Sequence, residues 1–222
     1  MPSETWIASG TPDAAPDKIE TALGWIKKNR ETFIGSVVIL LAIIVFSVYF
    51  LIHYRGLRDT AWKSLFIAQQ QAGGGNFAQA QQQLAAIEAS YGSTSAAPYA
   101  TLFKGDMLFA QGKFKEAAAE YSKLTNSKDV APFAIYSVGK SKEAEGDLAG
   151  AQVAYSDFLL KTPEHFIAPE VHSSLARTQE LSGSADLAKT TYEKIVLLYP
   201  ETSWAMQAKA KLTPQPPAPA KK

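Results

Sequence analysis

The 222-residue chain contains no cysteine. Disulfides, thiolate zinc sites and thiol redox chemistry are therefore excluded. Histidine is scarce. There are three, His53, His165 and His172, and none has the spacing of a His-Glu-x-x-His helix or another ligand set. Excess charge is missing too: the net charge is +1, and residues 56–212 carry 15 Lys/Arg against 16 Asp/Glu. A general nucleic-acid binder shows a basic surplus on one face, which argues against that class. Binding driven by bulk electrostatics is likewise not favoured. Gly73-Gly74-Gly75 lacks the Gly-Lys-Ser/Thr that completes a phosphate loop. Carboxylate pairs such as Glu116 with Glu120, or Glu143 with Glu145, read as solvated helix faces. No cofactor or metal is implied, and the expectation is a protein that is not an enzyme.

What the chain does have is one long apolar run. FIGSVVILLAIIVFSVYFLI, residues 33–52, carries no charge over 20 residues. At about 1.5 Å per helical residue it reaches about 30 Å, the thickness of a bilayer's hydrocarbon core. A soluble helix rarely stays apolar on every face for so long, and the run exceeds a signal peptide's apolar stretch. A transmembrane helix is expected over 33–54. Lys27, Lys28 and Arg30 cluster at its N-terminal edge, with Arg55, Arg58 and Lys63 beyond the other end. The positive-inside rule then places the N-terminus in the cytoplasm and residues from about 56 outside it. Tyr49 and Tyr54 stand where interfacial aromatics would sit, or fall there by chance. Residues 1–16, rich in Pro, Ser, Thr and Ala, are expected to be disordered. Residues 17–32 open with a short helix bearing Ile19, Leu23 and Ile26 on one face and Trp25 beside them. That helix either lies on the inner membrane surface or extends the span.

After the span the sequence repeats itself. GNFAQAQQQLAAI starts at Gly75, GKFKEAAAEYSKL at Gly112, GDLAGAQVAYSDF at Gly146 and GSADLAKTTYEKI at Gly183. Each has Ala five residues after its Gly (Ala80, Ala117, Ala151, Ala188). A large residue follows four later (Leu84, Tyr121, Tyr155, Tyr192) and another three beyond that (Ile87, Leu124, Phe158, Ile195). Pro98, Pro132 and Pro169 each stand 14 residues before a Gly. Pro is tolerated in a helix's first turn, and Gly permits the backbone of a tight turn. Each unit therefore predicts a helix, a Gly turn and a second helix, with the small Ala letting the helices approach.

This pattern resembles the tetratricopeptide repeat, a helix–turn–helix unit with a period near 34 residues. PFAIYSVGKSKEAEGDLAGAQVAYSDFLLKTP, residues 132–163, carries it best, through Tyr136, Gly139, Gly146, Leu148, Ala151, Tyr155 and Pro163. The resemblance implies an all-α chain: a single transmembrane helix, then a right-handed α-solenoid of about four helix pairs over 55–212. The repeats fall at about 61–92, 98–129, 132–163 and 169–200, with a capping helix at 203–212 and a Pro-rich disordered tail at 213–222. His172 falls at a packing position and reads as a core histidine. The resemblance also implies that positions two, five and nine of each first helix line a groove. Those residues are Trp62, Leu65 and Gln69; Tyr99, Leu102 and Asp106; Phe133, Tyr136 and Lys140; Glu170, Ser173 and Arg177. Either these aromatics anchor a peptide or helix from another protein, or they bury against the next repeat.

Trp25-Ile26-Lys27-Lys28-Asn29, the span and the repeats together resemble the YfgM-like family of ancillary Sec translocon subunits. That resemblance implies a single-pass bacterial inner-membrane protein with a periplasmic repeat domain, linked to translocation and to chaperones. Its partners would be membrane or envelope proteins and the lipid bilayer, with no nucleic acid; oligomeric state is left open. The 16-residue N-terminal extension and the Pro-rich tail depart from that family. Tyr155-x-x-Phe158-Leu159 and Leu198-Tyr199-Pro200-x-x-Ser203 are similar to other envelope repeat proteins, such as assembly lipoproteins. The alternative is an accessory subunit of another inner-membrane complex (respiratory, photosynthetic or divisome) held mainly by its transmembrane helix.

Overall fold

A computed structural model describes residues 18–213 of the chain; the expectations for residues 1–16 and for the tail beyond Thr213 lie outside them. Ten helices and no strand occur among the described residues. The chain divides between Arg55 and Gly56 into two units.

The first unit holds α1 (Lys18–Lys28) and the start of α2 (Arg30–Gly73). None of its described side chains is buried. Every large aliphatic or aromatic side chain from Val37 to Ile52 is exposed, which in water would be strongly unfavourable. The helix closes all its backbone hydrogen bonds internally, as a lipid environment demands. It is long and apolar enough to cross a membrane. Asn29 separates α1 from α2, but its N–H still donates to the Trp25 carbonyl at 2.9 Å, and Phe33 donates back to Asn29 at 2.9 Å.

The sequence reading treats the span and the first helix of repeat 1 as separate segments. In the structure both belong to α2. The reason is local: Gly56 is the sole breaker between the span and Gly73. One interior Gly costs a helix only about 1 kcal/mol relative to Ala.

The second unit continues through α3 (Phe77–Tyr91), α4 (Ala96–Ala110), α5 (Phe114–Ser122), α6 (Ala131–Glu145), α7 (Leu148–Lys161), α8 (Ala168–Leu181), α9 (Ala185–Leu198) and α10 (Ser203–Leu212). Each helix packs on its neighbour in sequence. The turns after α2, α4, α6 and α8 are one structure used four times. Gly75, Gly112, Gly146 and Gly183 all take left-handed φ, from 75° to 91°. Each Gly N–H bonds three residues back, and the next N–H bonds five back, as Gly146 to Glu143 (3.0 Å) and Asp147 to Lys142 (2.8 Å). This paired bonding satisfies carbonyls that a helix end leaves open.

The repeat positions form the core. Ala80, Ala117, Ala151 and Ala188 are buried, as are Leu84, Tyr121, Tyr155 and Tyr192. Two glycines make room for two of those tyrosines. A Cβ on Gly105 would come within 2.5 Å of Tyr121, and one on Gly139 within 2.4 Å of Tyr155. The second repeat, whose Gly-to-Gly period is the shortest, has the shortest second helix. Helix α5 runs 9 residues against 14 or 15 for α3, α7 and α9. Turns over 123–126 follow it, and Leu124 reaches the core from outside the helix.

Candidate partner-binding cleft

Positions two, five and nine of the first two repeats, carried on α2 and α4, converge. Trp62, Leu65, Tyr99, Leu102 and Asp106 line one cleft of about 280 Å³, together with Phe66, Gln69 and Phe103. Leu65 is its buried floor and joins the core with Ala68, Leu84 and Ile87. The aromatics stay open: Trp62 is 39% exposed, Phe66 58% and Tyr99 36%. The Trp62 and Tyr99 rings stand 5.1 Å apart. The Trp62 indole N–H donates to Ser95 Oγ at 3.3 Å, which fixes the ring. Phe66 and Phe103 are not among the groove positions named from the repeat. Each stands four residues after a named aromatic, Trp62 or Tyr99, so helical spacing puts it on the same face.

Asp106 closes one end of this cleft. Tyr121 donates to its Oδ1 at 2.6 Å, and Oδ2 has no hydrogen bond among the described residues. Burial raises the carboxyl above its ordinary range, against the opposing Tyr121 hydrogen bond and the Lys140 charge. The Tyr121 hydroxyl is raised in turn, by burial first and by Asp106 second. Asp106 also faces a smaller cavity of about 110 Å³, shared with Phe109, Tyr121, Ser137 and Lys140.

Further along, the groove positions engage the protein itself. Lys140 holds its ammonium 5.6 Å from both the Phe109 and the Tyr136 ring centroids. The Tyr136 hydroxyl donates to Glu170 at 2.6 Å, one repeat ahead. Phe133 turns to His165 and Phe166, with ring centroids at 5.4 and 6.0 Å. Arg177 donates to both oxygens of Glu143 at 2.8 and 2.9 Å, and Tyr155 donates to the same carboxylate at 2.8 Å. The Glu143 hydrogen bond, partly offset by burial, raises the Arg177 guanidinium further. Ser173 and Arg177 line a third cavity, about 400 Å³, with Tyr192, Gln207, Ala210 and Lys211. Lys211 pairs there with Glu180 at 2.9 Å. Burial and the Glu180 charge push the Tyr192 hydroxyl up to about 12. The twelve groove positions thus divide: the six from the first two repeats share one open cleft, and the others meet internal partners or a separate cavity.

His172 is half-buried beside Leu175 and Tyr199, with Nδ1 unpartnered. Burial, then the Lys194 charge, lowers it below its ordinary value. No group of three or more His, Asp or Glu among the described residues is placed to hold a metal ion. Lys27 and Lys28 are exposed in the last turn of α1, where cations suit the helix dipole, and Arg30 is exposed at the start of α2.

No protein-family model matches this chain, and no curated protein matches it. Solved structures do. A tetratricopeptide repeat protein from Parabacteroides merdae superposes with a TM-score of 0.59 at 16% identity, over 69% of this chain and 59% of that one. This chain therefore covers about three fifths of that structure's length. A Podosopora anserina chain of nearly identical TPR-like repeats gives 0.57 at 13% identity, covering 70% and 84%. The Cut9–Hcn1 hetero-tetramer of APC/C gives 0.52 at 17%, covering 67% and 29%. At these identities the likeness concerns fold alone, and the fold of the helix pairs from α2 to α10 is that of a tetratricopeptide-repeat solenoid.

Proposed function

We propose that this chain is a membrane-anchored scaffold whose repeats hold another protein. The apolar run of α2 crosses the bilayer, with Lys27, Lys28 and Arg30 keeping the N-terminus in the cytoplasm. The repeats then lie in the extracytoplasmic space, serving protein translocation or envelope assembly as an ancillary or chaperone-linked component. The observation that carries the reading is the α2/α4 cleft. Trp62, Phe66 and Tyr99 stay substantially exposed there and line one concave space. Exposed rigid aromatics in a concave site are what anchor a partner's side chains. Solenoids of this class bind along such surfaces.

A photocrosslinking residue at Phe66 in native membranes tests it, with mass spectrometry of the adducts. Translocon subunits, chaperones or many nascent chains support the reading; absence of any protein adduct removes it. A second reading is supported by the fully exposed span: an accessory subunit held by its transmembrane helix. Exchanging residues 33–52 for a generic apolar helix would then release the protein from its complex while leaving the Phe66 cleft unoccupied.

A further inference from the structure

The inter-helix clefts along the solenoid follow one charge pattern, and the α2/α4 cleft breaks it. Between α4 and α6, Lys140 lies over the Phe109 and Tyr136 rings. Between α6 and α8, Arg177 binds Glu143 through two hydrogen bonds. Between α8 and α10, Lys211 binds Glu180. Each cleft receives a cation from the chain itself. The α2/α4 cleft receives none: Gln69 from α2 and Asp106 from α4 both line it, and no cation does.

Asp106 is correspondingly unfinished. Glu143 accepts one tyrosine hydroxyl and one guanidinium. Asp106 accepts the tyrosine hydroxyl and feels the charge of Lys140 across the smaller cavity they share, but it forms no ion pair within 4.0 Å among the described residues. The same cleft is lined by Trp62, Phe66, Tyr99 and Phe103. Aromatic faces attract a cation through their quadrupole, and more strongly where water is excluded. A guanidinium adds stacking and charge-assisted hydrogen bonds to a carboxylate.

Building on the scaffold reading, we infer that the α2/α4 cleft binds a basic side chain of the partner, arginine in preference to lysine. The guanidinium donates to Asp106 Oδ2 and the arginine side chain lies along the aromatic wall of the cleft, a pairing like that of Arg177 with Glu143 in the α6/α8 cleft. The partner segment is therefore a peptide with an arginine flanked by apolar residues.

The probe is an array of immobilised Ala/Leu host peptides with one central position set to Arg, Lys, citrulline, Leu or Glu. The full chain, purified in detergent, is applied at moderate salt. Arginine peptides should retain at least tenfold more protein than citrulline or leucine peptides. Asp106→Asn should abolish that preference, and Asp106→Glu should keep most of it. Gln69→Lys, which supplies the missing internal cation, should reduce arginine binding about tenfold at an unchanged melting temperature. Equal retention on leucine and arginine peptides, an arginine preference that survives Asp106→Asn, or no retention on any peptide overturns the inference. The Phe66 crosslink decides the scaffold reading separately: adducts without an arginine preference would sink only the basic-side-chain assignment.

Discussion

The early and late parts of the solenoid use the same helix faces for opposite ends. In the late part, from α6 to α10, those faces are turned inward chemically. Tyr136 bonds Glu170, Arg177 bonds Glu143, and Lys211 bonds Glu180. In the early part, Trp62, Phe66 and Tyr99 stand open, and one carboxylate has a free oxygen. The contrast separates position from role. Equivalent register gives equivalent location, but the neighbours' charges decide whether a groove residue binds a partner or the next repeat.

The largest expected effect breaks the late side. Tyr155 is fully buried against Gly139. Tyr155→Ala should cost about 3–5 kcal/mol by chemical denaturation, as large-to-small core changes of this size do. Tyr99→Ala, at the open cleft, should cost under about 1 kcal/mol; equal losses would erase the distinction between the two regions. Next comes Gly139→Ala, whose new methyl meets the Tyr155 ring. Overpacking costs about 1–3 kcal/mol, partly offset by about 1 kcal/mol of better helix propensity, so the melting temperature should still fall. Gly24→Ala, with open space around it, supplies the control that should not fall.

A smaller effect sharpens the comparison electrostatically. The Arg177 side chain is 57% exposed while that of Glu143 is 15% exposed. Solvent screening keeps such a pair near about 1 kcal/mol, so Arg177→Ala should cost roughly that amount and less at high salt. Asp106→Asn on the early side should cost nothing comparable.

The smallest effect is a pH dependence. His172 has a folded value below its ordinary 6.5. Its contribution is fully present above about pH 6.5. It is lost as pH falls through the lowered folded value, because the unfolded chain takes up the proton first. Thermal melts between pH 7 and 5 should therefore show a shallower decline in His172→Gln than in the parent chain. An identical decline would mean that carboxylates alone set the slope.

The parts of the fold readable in sequence are those that sterics dictates. A left-handed turn needs Gly, a close helix approach needs Ala, and the ring above it needs a gap; hence Gly146, Ala151 and Tyr155 announce themselves. Gly105 follows the same logic, seven residues before Gly112 as Gly139 stands before Gly146, and makes room for Tyr121. The site was half legible. Trp62 and Tyr99 follow from register, and Phe66 and Phe103 follow from a further helical turn. The self-pairing of Arg177 and Tyr136 was not legible. Long polar side chains choose among rotamers and partners by three-dimensional proximity, which no periodicity encodes.

The bonds that close the late faces also tie residues 34 apart in sequence, Tyr136 to Glu170 and Glu143 to Arg177. Repeat arrays otherwise behave as chains of nearest neighbours that can open piecemeal. Such rungs should make α6 and α8 exchange their amide hydrogens as one cooperative unit, whereas α2 and α4 meet through apolar core and ring contacts, with the Trp62–Ser95 bond at the entry to α4 as a polar tie. Breathing should therefore begin at the first repeat, and any chain held in its cleft would act as the missing rung, slowing exchange from that end of the array.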